Sequence, residues 1–185
     1  MKSKPKLTIL LISGPLAVGK TSVREYLTAR HGYIAIQSSS YLKELAAINE
    51  VVLERASLQM LGDCLDIESQ FSWVVSRVAL PQIQAVPEQK LWVFDSVRKP
   101  EQVVLFRNQF GESVRHVHFT CSEPILKQRY HSRARADDAV PYEDAINHPN
   151  ERSSRSLDQT ADRVVNLEEH SAEEAAKLLV DWLIG

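Results

Sequence analysis

Gly14-Pro15-Leu16-Ala17-Val18-Gly19-Lys20-Thr21 satisfies the pattern G-x-x-x-x-G-K-S/T at every position. An apolar run, Leu7-Thr8-Ile9-Leu10-Leu11-Ile12, leads into it, and a helical pattern from Thr21 to Arg30 follows. A chance match in a glycine-bearing turn would lack that strand–loop–helix setting, which carries more weight than the eight letters. In this setting the glycines let backbone N–H groups turn inward around a polyphosphate, and the helix N-terminus adds its dipole. Gly14, Ala17, Val18, Gly19 and Ser22 would surround the phosphates. Lys20 would reach the β- and γ-phosphates, and Thr21 would ligate Mg²⁺. The stretch predicts a nucleoside triphosphate site, with ATP and Mg²⁺ as its ligands.

Outward from this loop, short apolar strands alternate with helical patterns along the whole chain. That order implies a mostly parallel sheet covered by helices on both sides. Tyr33-Ile34-Ala35-Ile36 reads as a second strand, Lys90 to Asp95 as a third, Val114 to Phe119 as a fourth and Arg163 to Asn166 as a fifth. Between the second and third lie helical patterns through Leu42, Leu45 and Ala46, then Val52 to Leu61, then a stretch from Ile67 to Ala85. Pro100 and Pro124 open two helices, a polar, proline-bearing segment covers about 136–150, and helices from Glu151 and from Ala172 to Ile184 complete the order. No internal repeat, low-complexity tract or long linker interrupts it.

At 185 residues the chain suits one well-buried domain spanning 1–185 and is short for two. Hydrophobic residues at 44% and charged residues at 25% are ordinary globular values. A formal charge of −2 and a pI near 6.3 supply no global field for nucleic acid or an anionic membrane, so a polyanion must be gripped locally. Cys64 and Cys121 have no metal-ligand spacing and read as reduced thiols of a cytoplasmic protein. The basic start, Met1 to Lys6, superficially resembles a signal peptide, but cleavage after the apolar stretch would destroy the phosphate loop. No run approaches the length of a membrane span.

Asp95 ends the third strand, after four apolar residues. A carboxylate there is where a phosphate-loop enzyme places a Mg²⁺ partner, bound directly or through a water, the Walker B role. Ser96 and Arg98 follow at the rim where open α/β sheets bind ligands, and an arginine there can fork onto a phosphate. Arg129 and Arg133 are four apart and project from one helix face; Arg135 lies at the helix end. Three guanidinium groups beside a polar segment suit a lid, over about 129–150, that excludes water and steadies the transferred phosphoryl group. His116 and His118 alternate along one strand face without a third ligand at metal spacing and read as packed or surface residues. Trp73, Trp92 and Trp182 read as core, and Glu173-Glu174 as favourable charge at a helix start.

Taken together, the phosphate loop, the Asp95-Ser96-Val97-Arg98 segment and the Arg-rich helix resemble the nucleoside monophosphate kinase family. Phe94 to Val103 looks like the D-G-I/V-R-x-P-x-E-V/I element of nucleotide and dephospho-coenzyme A kinase-like proteins. Glu54 to Asp63 is similar to their T-R-x-x-L-Q-x-x-G acceptor segment, and Ala161 to Asn166 to the A-D-x-V/I-V/I-x-N run near the adenine. Ser96 replaces the usual Gly, and Glu54 stands where the family tends to have Thr. The resemblance implies a three-layer α/β sandwich of the P-loop nucleoside-triphosphate hydrolase type, with a five-stranded, mostly parallel sheet. It further implies a helical insert over about 38–85 that holds the acceptor through Arg55, Gln59 and Arg98, with Arg24 a weaker contact and Asn166 near the base.

The implied activity is phosphoryl transfer from ATP to a nucleotide-like acceptor, foremost a (deoxy)nucleoside monophosphate, with Lys20, Asp95, Arg129, Arg133 and Arg135 as catalytic groups. A phosphate acceptor is already anionic and needs no strong base. A hydroxyl acceptor, such as dephospho-coenzyme A or a hydroxymethylated base, is better served by a carboxylate just after the second strand. Here Gln37-Ser38-Ser39-Ser40 follows that strand, with no acid before Glu44, although Asp95 could serve. A DNA acceptor fits poorly with the weak net charge. A nucleotide-binding switch is the alternative of another class; the N-K-x-D element of a guanine-specific GTPase is absent.

Overall fold

Ile9, Leu10, Leu11 and Ile12 of strand β1 (Thr8–Ser13) are all wholly buried, as happens when a strand is central and covered on both faces. The computed structural model describes residues 6–50, 52–133 and 140–184, and at Arg55 and Ala56 the backbone alone. Arg135, named above for the lid, lies outside the described residues. Five parallel strands pair in the order β2-β3-β1-β4-β5, where β2 is Ile34–Ala35, β3 Leu91–Phe94, β4 Val114–Thr120 and β5 Arg163–Asn166.

Alternation along each strand divides the core. Ile9, Leu11, Trp92, Phe94 and Val114 pack on one face, against the insert helices α2 (Ser38–Ile48) and α3 (Arg55–Ser69) and against α5 (Pro100–Phe110). Leu10, Ile12, Val93, Val117 and Phe119 pack on the other, against α1 (Lys20–Arg30), α6 (Glu123–Ser132) and α9 (Ala172–Ile184). This is the three-layer α/β architecture expected above.

Three local expectations are corrected. The second strand keeps only two residues of the expected four. The expected amphipathic stretch from Ile67 to Ala85 is broken, because Gln70 (φ 52°) and Phe71 (φ 64°) adopt the left-handed region and end α3. The chain resumes as a π-helix, Val74–Ala79, leading into α4 (Leu80–Ala85). Finally, the polar segment is partly helical: it contains α7 (Tyr142–Asn147), and the helix expected from Glu151 starts two residues earlier as α8 (Pro149–Arg155), where Pro149 takes the first helical position, which suits its fixed φ and missing N–H.

Candidate active site

The phosphate loop joins the C-terminal end of β1 to the N-terminus of α1, and its glycines are there for two different reasons. Gly14 has φ 138°, and a Cβ on it would lie 2.5 Å from the carbonyl oxygen of Phe119 on the neighbouring strand. Gly19 caps α1 at φ 116°, a conformation that side chains rarely adopt. The loop is braced from outside. Ser154 Oγ donates to Gly14 O at 3.0 Å, and Leu16 N–H donates to Glu151 Oε1 at 2.7 Å, so α8 holds two successive corners of the loop. Arg155 Nε, at 2.9 Å, in turn holds Glu151. Arg129 forks between Val18 O and Leu167 O, both at 2.9 Å, and ties the loop to the segment after β5.

Lys20 folds back so that its ammonium donates to the carbonyls of Gly14 and Pro15, the latter at 2.8 Å. The residue is half-buried, and its ammonium is held against these two carbonyls. Burial is accordingly the largest influence on it and lowers its pKa from 10.5 to about 8; Glu151 and Asp95 oppose the shift, while Arg98 and Arg133 add to it.

A cavity of about 960 Å³ opens above the loop, at the upper end of the range for small-molecule sites. Ala17, Val18, Gly19, Lys20, Thr21 and Ser22 line it, as do Asp95, Arg98, Arg129, Arg133 and Gln59. The structure therefore brings most of the sequence-predicted residues to one place. Gly14 lies beneath the lining rather than in it. Asn166 is also absent from the lining: its Oδ1 accepts from Glu168 N–H at 3.0 Å and its Nδ2 donates to Glu169 at 2.9 Å. The side chain of Arg55, like Arg135, is not described. Arg24 ion-pairs with Asp95, Nε to Oδ2 at 3.5 Å. The Asp95–Arg98 loop is shaped by Gln102, a buried residue whose Oε1 accepts from Arg98 N–H at 3.0 Å and Lys99 N–H at 3.3 Å. Arg133 lies over the Tyr130 ring, its guanidinium carbon 4.7 Å from the centroid.

Sequence reasoning named no site residue on α7 or α8. His148 and Asn150, in the segment read as a polar loop, and Glu151 and Ser154, on the helix expected from Glu151, all line the cavity. Pro149 was the one local signal, since proline favours a first helical turn. Also unanticipated is a buried cluster behind the loop. The β1–β4 register sets Ser13 opposite His118 and Leu11 opposite His116, so the two rings flank one hydroxyl. Ser13 Oγ lies 2.7 Å from His116 Nε2 and 2.9 Å from His118 Nδ1, donating to one and accepting from the other. Burial pushes both imidazoles down to about 4. Among the described residues His116 Nδ1 has no hydrogen-bond partner, although the Thr160 backbone is near enough to favour its protonated form.

The donor set suits Mg²⁺. Thr21 and Asp95 offer hard oxygen atoms to the cavity, and the described residues contain no group of three or more His, Cys, Asp or Glu side chains that would cage a metal alone. Magnesium characteristically takes one or two protein oxygens and completes its shell with phosphates and water. Among the described residues, no helix is long and apolar enough to cross a membrane.

Comparison with known proteins places this geometry in context. The family described as AAA domain matches residues 10–147. No curated protein sequence matches the chain. Solved structures share its fold: an unliganded sugar kinase from a Janibacter species, at 14% identity and TM-score 0.61, covers 97% of this chain and 95% of its own. Shikimate kinase from Bacteroides thetaiotaomicron, at 13% identity and TM-score 0.55, covers 96% and 99%. Deoxyadenosine kinase from M. mycoides with bound dATP, at 12% identity and TM-score 0.53, covers 95% and 99%.

Proposed function

The chain belongs to the AAA domain family, and from that premise we propose that it is a kinase transferring the γ-phosphoryl group of ATP to a small nucleotide-like acceptor, a (deoxy)nucleoside monophosphate. The observation that carries this reading is the single cavity shared by the phosphate loop, Asp95, Arg98 and Gln59. A triphosphate on the loop and an acceptor against Arg98 would face each other across it. The neighbours named for kinases of a sugar, shikimate and deoxyadenosine support phosphoryl transfer as the reaction class.

In this reading the backbone N–H groups of residues 17–22 hold the phosphates, and Lys20 leaves the Gly14 and Pro15 carbonyls to meet them. Thr21 and Asp95 would hold Mg²⁺, which would supply charge neutralisation to the phosphates. Arg98 and Arg133 oppose the charge spread over the equatorial oxygens of the transferred group. Arg129 acts differently from the expectation above: its fork is already given to two carbonyls, so it positions the loop. Residues 38–85 would be the acceptor arm of one domain, and about 129–150, of which 134–139 lie outside the described residues, its lid. A second reading, a hydroxyl acceptor with Asp95 as base, draws support from the neighbours named for a sugar and for shikimate.

ADP release measured with ATP and Mg²⁺ against ribo- and deoxyribonucleoside monophosphates, dephospho-coenzyme A and a hydroxymethylpyrimidine nucleotide tests the proposal. Stimulation by a monophosphate is expected, and loss of it in Lys20→Met with the fold intact. Response to hydroxyl acceptors alone would transfer the case to the second reading, and tight ATP binding without any stimulation would indicate a nucleotide-binding switch.

A further inference from the structure

Gln59 on α3 and His148, the residue capping α8, meet across the cavity with Gln59 Nε2 and His148 Nε2 at 2.7 Å. Both line the cavity. The other ring nitrogen, His148 Nδ1, accepts the N–H of Asn150 at 3.2 Å. A ring nitrogen that accepts carries no proton, so the neutral imidazole bears its hydrogen on Nε2. That hydrogen faces an amide NH₂, and two donors cannot bond to each other. The Gln59 carboxamide satisfies the contact only when turned by 180°, with Oε1 accepting from His148 Nε2–H; the two ends of an amide are distinguished by their partners. The alternative, with the proton on Nδ1, would set a ring N–H against the Asn150 N–H and lose a hydrogen bond at the first turn of α8.

In the turned amide the NH₂ group occupies the outer end. Among the described residues no hydrogen bond engages that end, and it is not among their buried polar atoms without a partner, so it is accessible from the cavity that Gln59 lines. A second polar bridge, Asn150 Nδ2 to Asp63 Oδ1 at 2.8 Å, ties α8 to α3 next to it and holds the two helices in this relation.

We propose that His148 fixes the Gln59 carboxamide so that the cavity presents N–H donors to the acceptor, which is recognised through a lone pair on its base, a carbonyl oxygen or ring nitrogen. This deepens the kinase reading and rests on it for the identity of the acceptor. Glu54, at the start of α3, also lines the cavity and offers a carboxylate. One donor and one acceptor at this end match the edge of a substituted heterocycle, which carries both. Gln59 touches the acceptor; His148 is a positioning residue acting through it.

The test has two arms. Long-range nitrogen–proton NMR of the whole protein, with His148 assigned by its disappearance in His148→Ala, reads the tautomer directly. Calorimetry of nucleoside monophosphates, with a non-hydrolysable ATP analogue present, reads recognition without turnover. A proton on Nε2 is expected, together with at least tenfold weaker monophosphate binding in Gln59→Glu and unchanged affinity for the analogue. His148→Ala should narrow the ratio between the best and the next-best monophosphate, because the freed amide can present either end. A proton on Nδ1, or Gln59→Glu binding like wild type, overturns the inference even if turnover is normal. Binding that Gln59→Glu weakens, without any turnover, overturns the kinase reading and leaves this one standing.

Discussion

Gly14 answers to two constraints at once, a φ of 138° and the Phe119 carbonyl 2.5 Å from where a Cβ would stand. Gly14→Ala must displace the backbone of β4, and the expected outcome is a lowered melting temperature with loss of ATP binding in calorimetry. Ala17 is the opposite case. It holds φ 65° with a Cβ in place, which costs roughly 1–2 kcal/mol for an L-residue. Ala17→Gly relieves that strain while losing some backbone entropy, so denaturant unfolding should show a gain of up to about 1 kcal/mol. Lys20 yields a pH prediction. Its ammonium has a pKa of about 8 when folded against the loop carbonyls, and binding to an anion requires the charged form. ATP affinity should therefore fall as pH rises through about 8, by up to about tenfold per unit, and Lys20→Met should abolish the slope.

At the level of elements, the phosphate loop is held by helices that follow it by more than a hundred residues. Arg129 on α6 reaches Val18 and Leu167, and Glu151 and Ser154 on α8 reach Leu16 and Gly14. Lysine at 129 can supply a charge but not a planar fork to two carbonyls. Arg129→Lys should cost about 1–2 kcal/mol in thermal or chemical unfolding and raise the KM for ATP several-fold, through the loop and not through the transferred group. The capping of α9 is also side-chain work: Ser171 Oγ accepts from Glu174 N–H at 3.2 Å and Glu174 accepts from Ser171 N–H at 2.8 Å. Of the acidic pair expected to act as favourable charge, Glu174 is the capping member.

Across the whole molecule, the Ser13–His116–His118 cluster links stability to pH. In the unfolded chain each imidazole titrates near 6.5, and in the folded protein near 4. Between those values the unfolded state binds more protons, so stability rises with pH there and is lost as pH falls from about 6.5 towards 4. The loss is on the order of 3 kcal/mol for one histidine, and the second need not add fully because the two interact. Unfolding at pH 7 and pH 5 should show it, and His118→Asn should flatten the dependence. The same cluster sits directly behind the phosphate loop, at the point where β1 ends.

The eight-residue loop, the alternation of apolar runs and the Asp95–Arg98 segment were legible because each is local. Glycines at fixed offsets dictate a turn, short continuous apolar runs dictate strands buried on both faces, and a residue at a strand's end inherits its place at the rim. From these the sequence by itself determined a three-layer α/β fold with a glycine-bearing loop at the carboxyl end of its central strand. What only the tertiary structure decided lies in pairings between residues far apart in the chain. Gln59 meets His148, Glu151 meets Leu16, and Arg129 meets Val18 because sheet order and helix packing carry them together; nothing in their own neighbourhoods encodes it. Asn166 shows the reverse, a residue singled out by a local run whose amide the fold commits to Glu168 and Glu169. Backbone geometry propagates from neighbouring residues, whereas the partner of a side chain is set by the packing of the entire chain.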